Sequence, residues 1–390
     1  MKNITYSQNI RSLKENIYDT QFDEIKNLGL LGSYLKVSAN LLTYLPKLTN
    51  KEHYKFIQDI QFHRRLSSID QYYPFLLNDL KIHDKLNIIE SSYNTSHIFV
   101  TYHTGSYRMF IQYLSKMNIS FCLVTEERFI EKQGATIQKL YKQIRKESDK
   151  LEILSAENPR LIFELINRLR KGVSVVFYID GNTGALEKKL EQNKNLLKID
   201  FLSHHIYARQ GIAFLAYLSK SPIAIVLAER SENLDNIIYI NPVKTIELIK
   251  KLNRKDYINS VTKILYHELE LFLRKNPTQW EGWFYIHKFF ENKALLNKRK
   301  EFIYNYPKSI TLEIDQFIHL IKYDDKHIFL VKKKDYQIMK ITNLMFEILN
   351  FFKSPKKIKP NKSLVLKQQK FSWTFIKELI EIELINPIKQ

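Results

Sequence analysis

Apolar and polar positions change their rhythm twice along the chain. Through residues 1–92 they recur at helical spacing, most clearly over 54–69, and β-branched runs are missing. This predicts a helical N-terminal region that packs on a neighbouring core. A stretch such as Leu28-Gly-Leu-Leu-Gly-Ser-Tyr-Leu35 would also suit a membrane surface. From residue 96 short apolar runs alternate with helical stretches. Strands are predicted at 97–102, 119–124, 173–179 and 223–228, with a further one at 237–240. Helices are predicted at 104–117, 135–148, 158–171 and 209–219, and a long amphipathic one at 257–275. Strands separated by helices predict an α/β domain over 93–298, with a central, mostly parallel sheet flanked by helices. After about residue 300 the texture changes again. Three short strands (309–314, 327–331, 336–341), a helix (344–352), a basic loop (353–362) and a last helix (373–385) predict a small α+β domain over 305–390. No internal repeat is visible.

Composition narrows the class. Only 9 glycines and 10 prolines occur in 390 residues, so long flexible linkers are not expected. The 61 basic and 41 acidic residues give a net charge of +20. Such a surplus attracts polyanions: anionic lipid head groups, an acidic carrier protein, a phosphorylated cofactor or nucleic acid. Lysine, isoleucine and asparagine are abundant throughout, so about half of this signal is discounted as base composition. Nucleic-acid binding rests on charge alone, with no recognition motif behind it, and is not favoured. Cys122 is the only cysteine and sits in the apolar run Ser120-Phe-Cys-Leu-Val124, which marks it as a core residue and excludes an internal disulfide. Neither a signal peptide nor a membrane-spanning run is recognisable. The expectation is a cytoplasmic protein, with peripheral contact to an anionic inner membrane as a further option.

The chemistry concentrates in Val100-Thr-Tyr-His-Thr-Gly-Ser-Tyr-Arg108. A buried strand ends at His103, Gly105 follows, and a helix begins. That places an imidazole at the carboxyl end of a sheet strand, where open α/β sheets bind ligands. Amides at the helix start would stabilise a developing negative oxygen. A strand-end histidine by itself is also a common structural residue.

Four further stretches follow in order. They are Val175-Val-Phe-Tyr-Ile-Asp180-Gly181 with Asn182-Thr-Gly184, then Phe201-Leu-Ser-His-His-Ile-Tyr-Ala-Arg-Gln-Gly211, then Ser221-Pro222-Ile-Ala-Ile-Val, and finally Asn276-Pro-Thr-Gln279-Trp280-Glu-Gly-Trp283-Phe-Tyr-Ile-His287. Together with the His103 segment, and over about residues 20–290, the chain resembles the superfamily of lysophospholipid and late lipid A acyltransferases. That resemblance implies transfer of a fatty acyl group from an acyl-carrier-protein or coenzyme A thioester to a hydroxyl or amine, with no permanently bound cofactor. His103 would be the general base. The family places an aspartate or glutamate five positions after this histidine, and here that position is Arg108.

Arginine cannot accept the imidazole N–H. Three readings stay open. Another acid substitutes, with Asp180, Glu126 and Glu127 as candidates. Alternatively His103 acts unaided while Arg108 binds a phosphate or carboxylate or stabilises the oxyanion. Otherwise the protein is catalytically silent and binds a carrier protein or peptide within a biosynthetic complex. Asp180 also reads as a turn-forming aspartate before Gly181. Gly105, Ser106, Gly181, Asn182, His204 and Arg209 complete the predicted substrate-binding set, together with Arg108 and Glu126. His204 and His205, adjacent on an extended segment, are expected to point to opposite faces and to be poor joint metal ligands, and no metal is predicted. Residues from about 309 to 388, through Lys326-His-Ile-Phe-Leu-Val and Tyr336-Gln-Ile-Met-Lys-Ile341, resemble the small winged-helix domains of the PqqD type, which implies a winged-helix-like fold for this α+β unit. That resemblance implies capture of a peptide along a strand edge, against the alternative of a packing domain with a solvated basic loop.

Overall fold

The computed structural model describes residues 2–20, 28–145, 151–181, 193–290, 309–322, 325–333, 337–359, 362–366 and 369–388. By its internal contacts the chain forms two compact units, residues 1–19 with 55–290 and residues 20–54 with 291–390. The N-terminal helices are Lys2–Tyr18 (α1), Leu28–Tyr44 (α2) and Asn50–Asp70 (α3). In the first unit α1 packs on α3 through Leu13, Ile17, Phe62 and Leu66.

The first unit is built on a seven-stranded sheet. Its strands are Lys81–His83 (β1), Ile98–Thr101 (β2), Phe121–Thr125 (β3), Glu152–Ser155 (β4), Ser174–Tyr178 (β5), Ile223–Arg230 (β8) and Asn236–Val243 (β9), in the order β1-β9-β8-β2-β5-β3-β4. Every neighbouring pair is parallel except β8 and β9. β2 is the most deeply buried strand. All four of its residues are buried, as its unbroken apolar run requires. A separate antiparallel hairpin, Leu196–Phe201 (β6) and His204–Arg209 (β7), joins the sheet region to the helix Gly211–Ser219 (α8). The other helices are Ile88–Ser91 (α4), Arg108–Lys116 (α5), Glu127–Arg145 (α6), Leu161–Arg170 (α7), Thr245–Lys251 (α9) and Arg254–Lys275 (α10).

The second unit contains the sheet β14-β10-β17 (Lys356–Ile358, Ile310–Ile314, Ile385–Pro387). It also has the sheet β11-β12-β13 (Ile318–Lys322, Ile328–Lys332, Gln337–Lys340) and the hairpin Leu364–Leu366 (β15) with Gln369–Phe371 (β16). Helices Asn343–Phe351 (α11) and Trp373–Glu381 (α12) start on Thr342 and Ser372, whose hydroxyls accept from Met345 N and Phe375 N. Leu312, Leu330, Ile348, Phe352, Ile376 and Ile385 form its core, and Leu35 of α2 packs with Ile321 and Val331.

The α/β class and the mostly parallel sheet are as expected, and several local expectations are corrected. The helix expected at 135–148 starts eight residues earlier, at Glu127, whose carboxylate suits the positive helix start. Gly134, which breaks the sequence signal, is simply buried inside it. Arg209 is the last residue of β7, not the first of a helix. β1 lies within the region read as wholly helical, because three residues are too few to show a period of two. The basic loop expected at 353–362 contributes Lys356–Ile358 to a sheet.

Candidate functional site

β2 and β5 lie side by side and parallel, with Thr101 in register with Tyr178. Two residues beyond each strand end, the chain therefore brings His103 beside Asp180. His103 Nδ1 is 2.8 Å from Asp180 Oδ1. Since an ionised carboxylate only accepts, the ring donates its Nδ1–H there, leaving Nε2 as the basic nitrogen. The other oxygen, Oδ2, accepts from the His103 amide at 3.0 Å and from Trp280 Nε1 at 2.7 Å. Asp180 is 3% exposed and His103 20%, so the carboxylate is sealed while the imidazole keeps an outlet.

Burial opposes charge on both groups, but their contact outweighs it. For His103, the Asp180 charge and hydrogen bond, aided by Glu281 and opposed by Arg108, hold the ring above its ordinary pKa. For Asp180, burial is overcome by the His103 charge and by the three hydrogen bonds, and the carboxyl titrates below its ordinary range. Three tyrosines surround the pair. The Tyr107 and Tyr178 ring centroids lie 4.8 and 5.0 Å from that of His103. Burial pushes Tyr107, Tyr178 and Tyr285 up, so their hydroxyls stay protonated.

The loop carrying His103 is pinned from beneath. Gly105 N donates to Gln279 O at 2.9 Å, Glu281 N donates to His103 O at 3.0 Å, and Thr104 forms a bridge with Trp280. Gly105 has φ +47°, and a Cβ there would stand 2.6 Å from Ala228 O, so the close approach to β8 needs glycine. Ser106 is buried. Its hydroxyl donates to Asp70, Arg230 donates to both Asp70 and Ser106, and the Asp70–Arg230 ion pair is fully enclosed. Gln279 clasps the Arg230 backbone, accepting from its N at 2.7 Å and donating to its O at 2.8 Å.

Arg108 does not touch the imidazole. Its guanidinium lies 4.3 Å from the Tyr107 ring centroid, Nη1 donates to Ser67 Oγ at 3.1 Å, and Glu281 Oε1 stands off at 3.7 Å. Of the three acids weighed as substitutes, the one on His103 is Asp180. Glu126 precedes α6 and its backbone oxygen accepts from Phe129 and Ile130, while Glu127 opens α6. Gly181 follows Asp180, and its carbonyl accepts from Arg209 Nη2 at 3.5 Å. Asn182 lies outside the described residues. His204 and His205 do not point apart as expected. Beside the tight turn at Leu202–Ser203, where Leu202 has φ +53°, their rings stack with centroids 4.3 Å apart. His204 also meets Phe290 at 5.2 Å. Asp180 lines a pocket with Phe201, Tyr207, Trp280, Tyr285 and Phe289, about 330 Å³ with its mouth included.

Sequence reasoning had the strand-end histidine, the aspartate and the Gln279-Trp280 pair, but not that Trp280 is the third donor to Asp180. It missed Asp70 and Arg230 altogether. The one available signal was the charged pair Glu229-Arg230 closing the apolar run of β8. Among the described residues no cluster of three or more His, Cys, Asp or Glu side chains is placed to hold a metal ion. Among the same residues no helix is long and apolar enough to cross a membrane. Neither the models of known protein families nor the curated proteins give a match to this chain.

Proposed function

We propose that the protein transfers an acyl group from a thioester to a hydroxyl or amine, with His103 as general base and Asp180 as the carboxylate that orients it. The observation that carries this reading is the Nδ1–Oδ1 contact at 2.8 Å between the two, at the carboxyl ends of adjacent parallel strands. Asp180 fixes the tautomer and stabilises the imidazolium, as the acid does in other acid–base pairs. Nε2 takes the acceptor's proton as its oxygen or nitrogen bonds to the thioester carbonyl carbon. The carbon–sulfur bond then breaks, and the departing thiolate takes that proton from the imidazolium. A residue on a different strand thus supplies the acid that the resemblance to the lysophospholipid and lipid A acyltransferases places at the position of Arg108. The donor in this reading is an acyl-carrier-protein or coenzyme A thioester.

The acceptor in this reading is a peptide amine where the C-terminal domain works as its PqqD-like likeness implies, and a lipid or sugar hydroxyl otherwise. β13 supports the first option. It stands at the edge of its sheet with all four residues exposed. The test is thiol release from acyl thioesters of several chain lengths, with and without amine and alcohol acceptors. Release above background that falls at least about a hundredfold in His103→Ala supports the reading. Equal release by that variant overturns it. Arg108 favours a second reading, a silent acyltransferase-like protein that only binds, which predicts acyl-thioester or carrier binding with no release at all.

A further inference from the structure

From Lys353 to Ser372 the chain carries seven lysines and no acidic residue in a stretch of 20. At the average density of the whole chain, the same length would hold about three basic and about two acidic residues, so base composition does not account for it. Folding keeps this charge together. β14 and the β15–β16 hairpin set Ile358, Leu364, Leu366 and Phe371 on a single core with Leu312, Ile348 and Leu349. Lys357, Lys359, Lys362 and Lys370 stay exposed around it, and among the described residues none of the four forms an ion pair. Lys353 and Lys356 are engaged with α11, their Nζ atoms 5.9 and 5.2 Å from the ring centroids of Phe346 and Phe351.

The hairpin adds an apolar group to this basic surface. Leu364, Leu366 and Phe371 occupy its inner face, and the period of two turns Val365 and Lys370, which pair directly across the hairpin, to the outer one. Val365 is 57% exposed. A solvated sheet face ordinarily takes a polar residue at such a position. A branched aliphatic set among cations suits a surface that is anionic at its face and apolar beneath.

We infer that β14 and the β15–β16 hairpin dock the protein on an anionic lipid bilayer, with the lysines against the head groups and Val365 entering between them. Clusters of this size draw a chain to such a surface through the summed attraction of the single charges. Residues 309–390 contain no arginine. Compact lysine charges match the diffuse field of a charged plane, whereas forked recognition of a phosphate or a base edge falls to arginine. The inference stands apart from acyl transfer, and cleavage of short-chain thioesters does not bear on it.

The test is sedimentation of the full chain with vesicles of phosphatidylcholine, alone or in equal mixture with phosphatidylglycerol. Wild type binds the mixed vesicles and not the neutral ones, and binding weakens as salt is raised. The combined variant Lys357→Gln, Lys359→Gln, Lys362→Gln and Lys370→Gln weakens partition at least about a hundredfold, from about fivefold per lysine. Val365→Ser keeps every charge and weakens it about fivefold. The control removes four exposed lysines of the first unit, through Lys250→Gln, Lys251→Gln, Lys255→Gln and Lys263→Gln, and leaves partition unchanged at the same net charge. Absent binding to the mixed vesicles, equal binding to the neutral ones, or an equal loss in the control variant overturns the inference. Duplex DNA or an acidic carrier protein held more tightly than the mixed vesicles, through the same four lysines, overturns it in favour of that partner.

Discussion

The decisive perturbation is Asp180→Asn. It keeps the shape of the side chain while removing the charge and one of two acceptor oxygens. Three donors converge on this carboxylate: His103 Nδ1 at 2.8 Å, the His103 amide at 3.0 Å and Trp280 Nε1 at 2.7 Å. An asparagine meets them with one oxygen and one NH₂, so at least one donor faces another donor. If the NH₂ turns to the ring, Nδ1 must become the acceptor and the proton moves to Nε2, where the base is needed. The same exchange in Ser-His-Asp triads costs about 10⁴ in rate by this mechanism. We expect a loss of about 10³–10⁴ here, equivalent to ~4–5.5 kcal/mol of barrier.

The titration of His103 provides a second readout. Burial and Arg108 both disfavour the charged ring, and Asp180 is the main group that reverses them. Because His103 is raised in the folded protein, the pair contributes stability that is complete below the unfolded histidine pKa of about 6.5 and is lost as pH rises through the raised value. The depressed Asp180 contributes stability present above the unfolded aspartate value and lost as pH falls through its folded pKa. A base must be unprotonated to act, so wild-type activity climbs with pH through the raised pKa. In Asp180→Asn the climb moves to lower pH and reaches a much lower plateau. Proton NMR of the His103 Cε1–H, set beside the rate of thioester cleavage against pH, checks both. An unmoved histidine titration, or a rate within about tenfold of wild type, would refute the argument that Asp180 governs this ring.

Three further outcomes follow from packing. Gly105→Ala should cost about 2–3 kcal/mol in urea denaturation, since its Cβ meets the Ala228 carbonyl and its backbone sits at positive φ; an unchanged midpoint would show that the loop relaxes freely. Asp70→Ala, which strands the enclosed Arg230, should cost about 3–5 kcal/mol, and adding Arg230→Met should recover part of it. A double variant no more stable than the single would count against a desolvated ion pair. In the second unit Lys333 is fully buried, and burial pushes its ammonium down to about 7. From there to about 10.5 the unfolded chain keeps a proton that the folded unit releases, so thermal stability should rise with pH across that window and flatten in Lys333→Met.

Much of the framework was legible because local pattern decides it. The unbroken apolar run of β2, the alternation of strands with helices, and Cys122 at 0% exposure in β3 needed no partner to be read. Elements that exist only through a partner were not legible. β1 is three residues long and is a strand because β9 pairs with it, and the β6–β7 hairpin is written in a stretch rich in polar side chains. The stacking of His204 on His205 depends on the turn geometry beside them, which a period-of-two rule does not contain.

By itself the sequence determined an α/β chain with a histidine at the end of a buried strand, an arginine five positions after it, and an aspartate of ambiguous purpose. Only the tertiary structure decided which acid meets the histidine. The two residues are 77 positions apart, and what joins them is strand order and register, with β5 parallel to β2 and Thr101 opposite Tyr178. Register is a collective property of packed strands, fixed by which faces are buried and not by either segment alone. Arg108 was likewise open until its neighbours were placed. Ser67 and Glu281 come to it from distant parts of the chain, and with the adjacent Tyr107 they hold it off the imidazole.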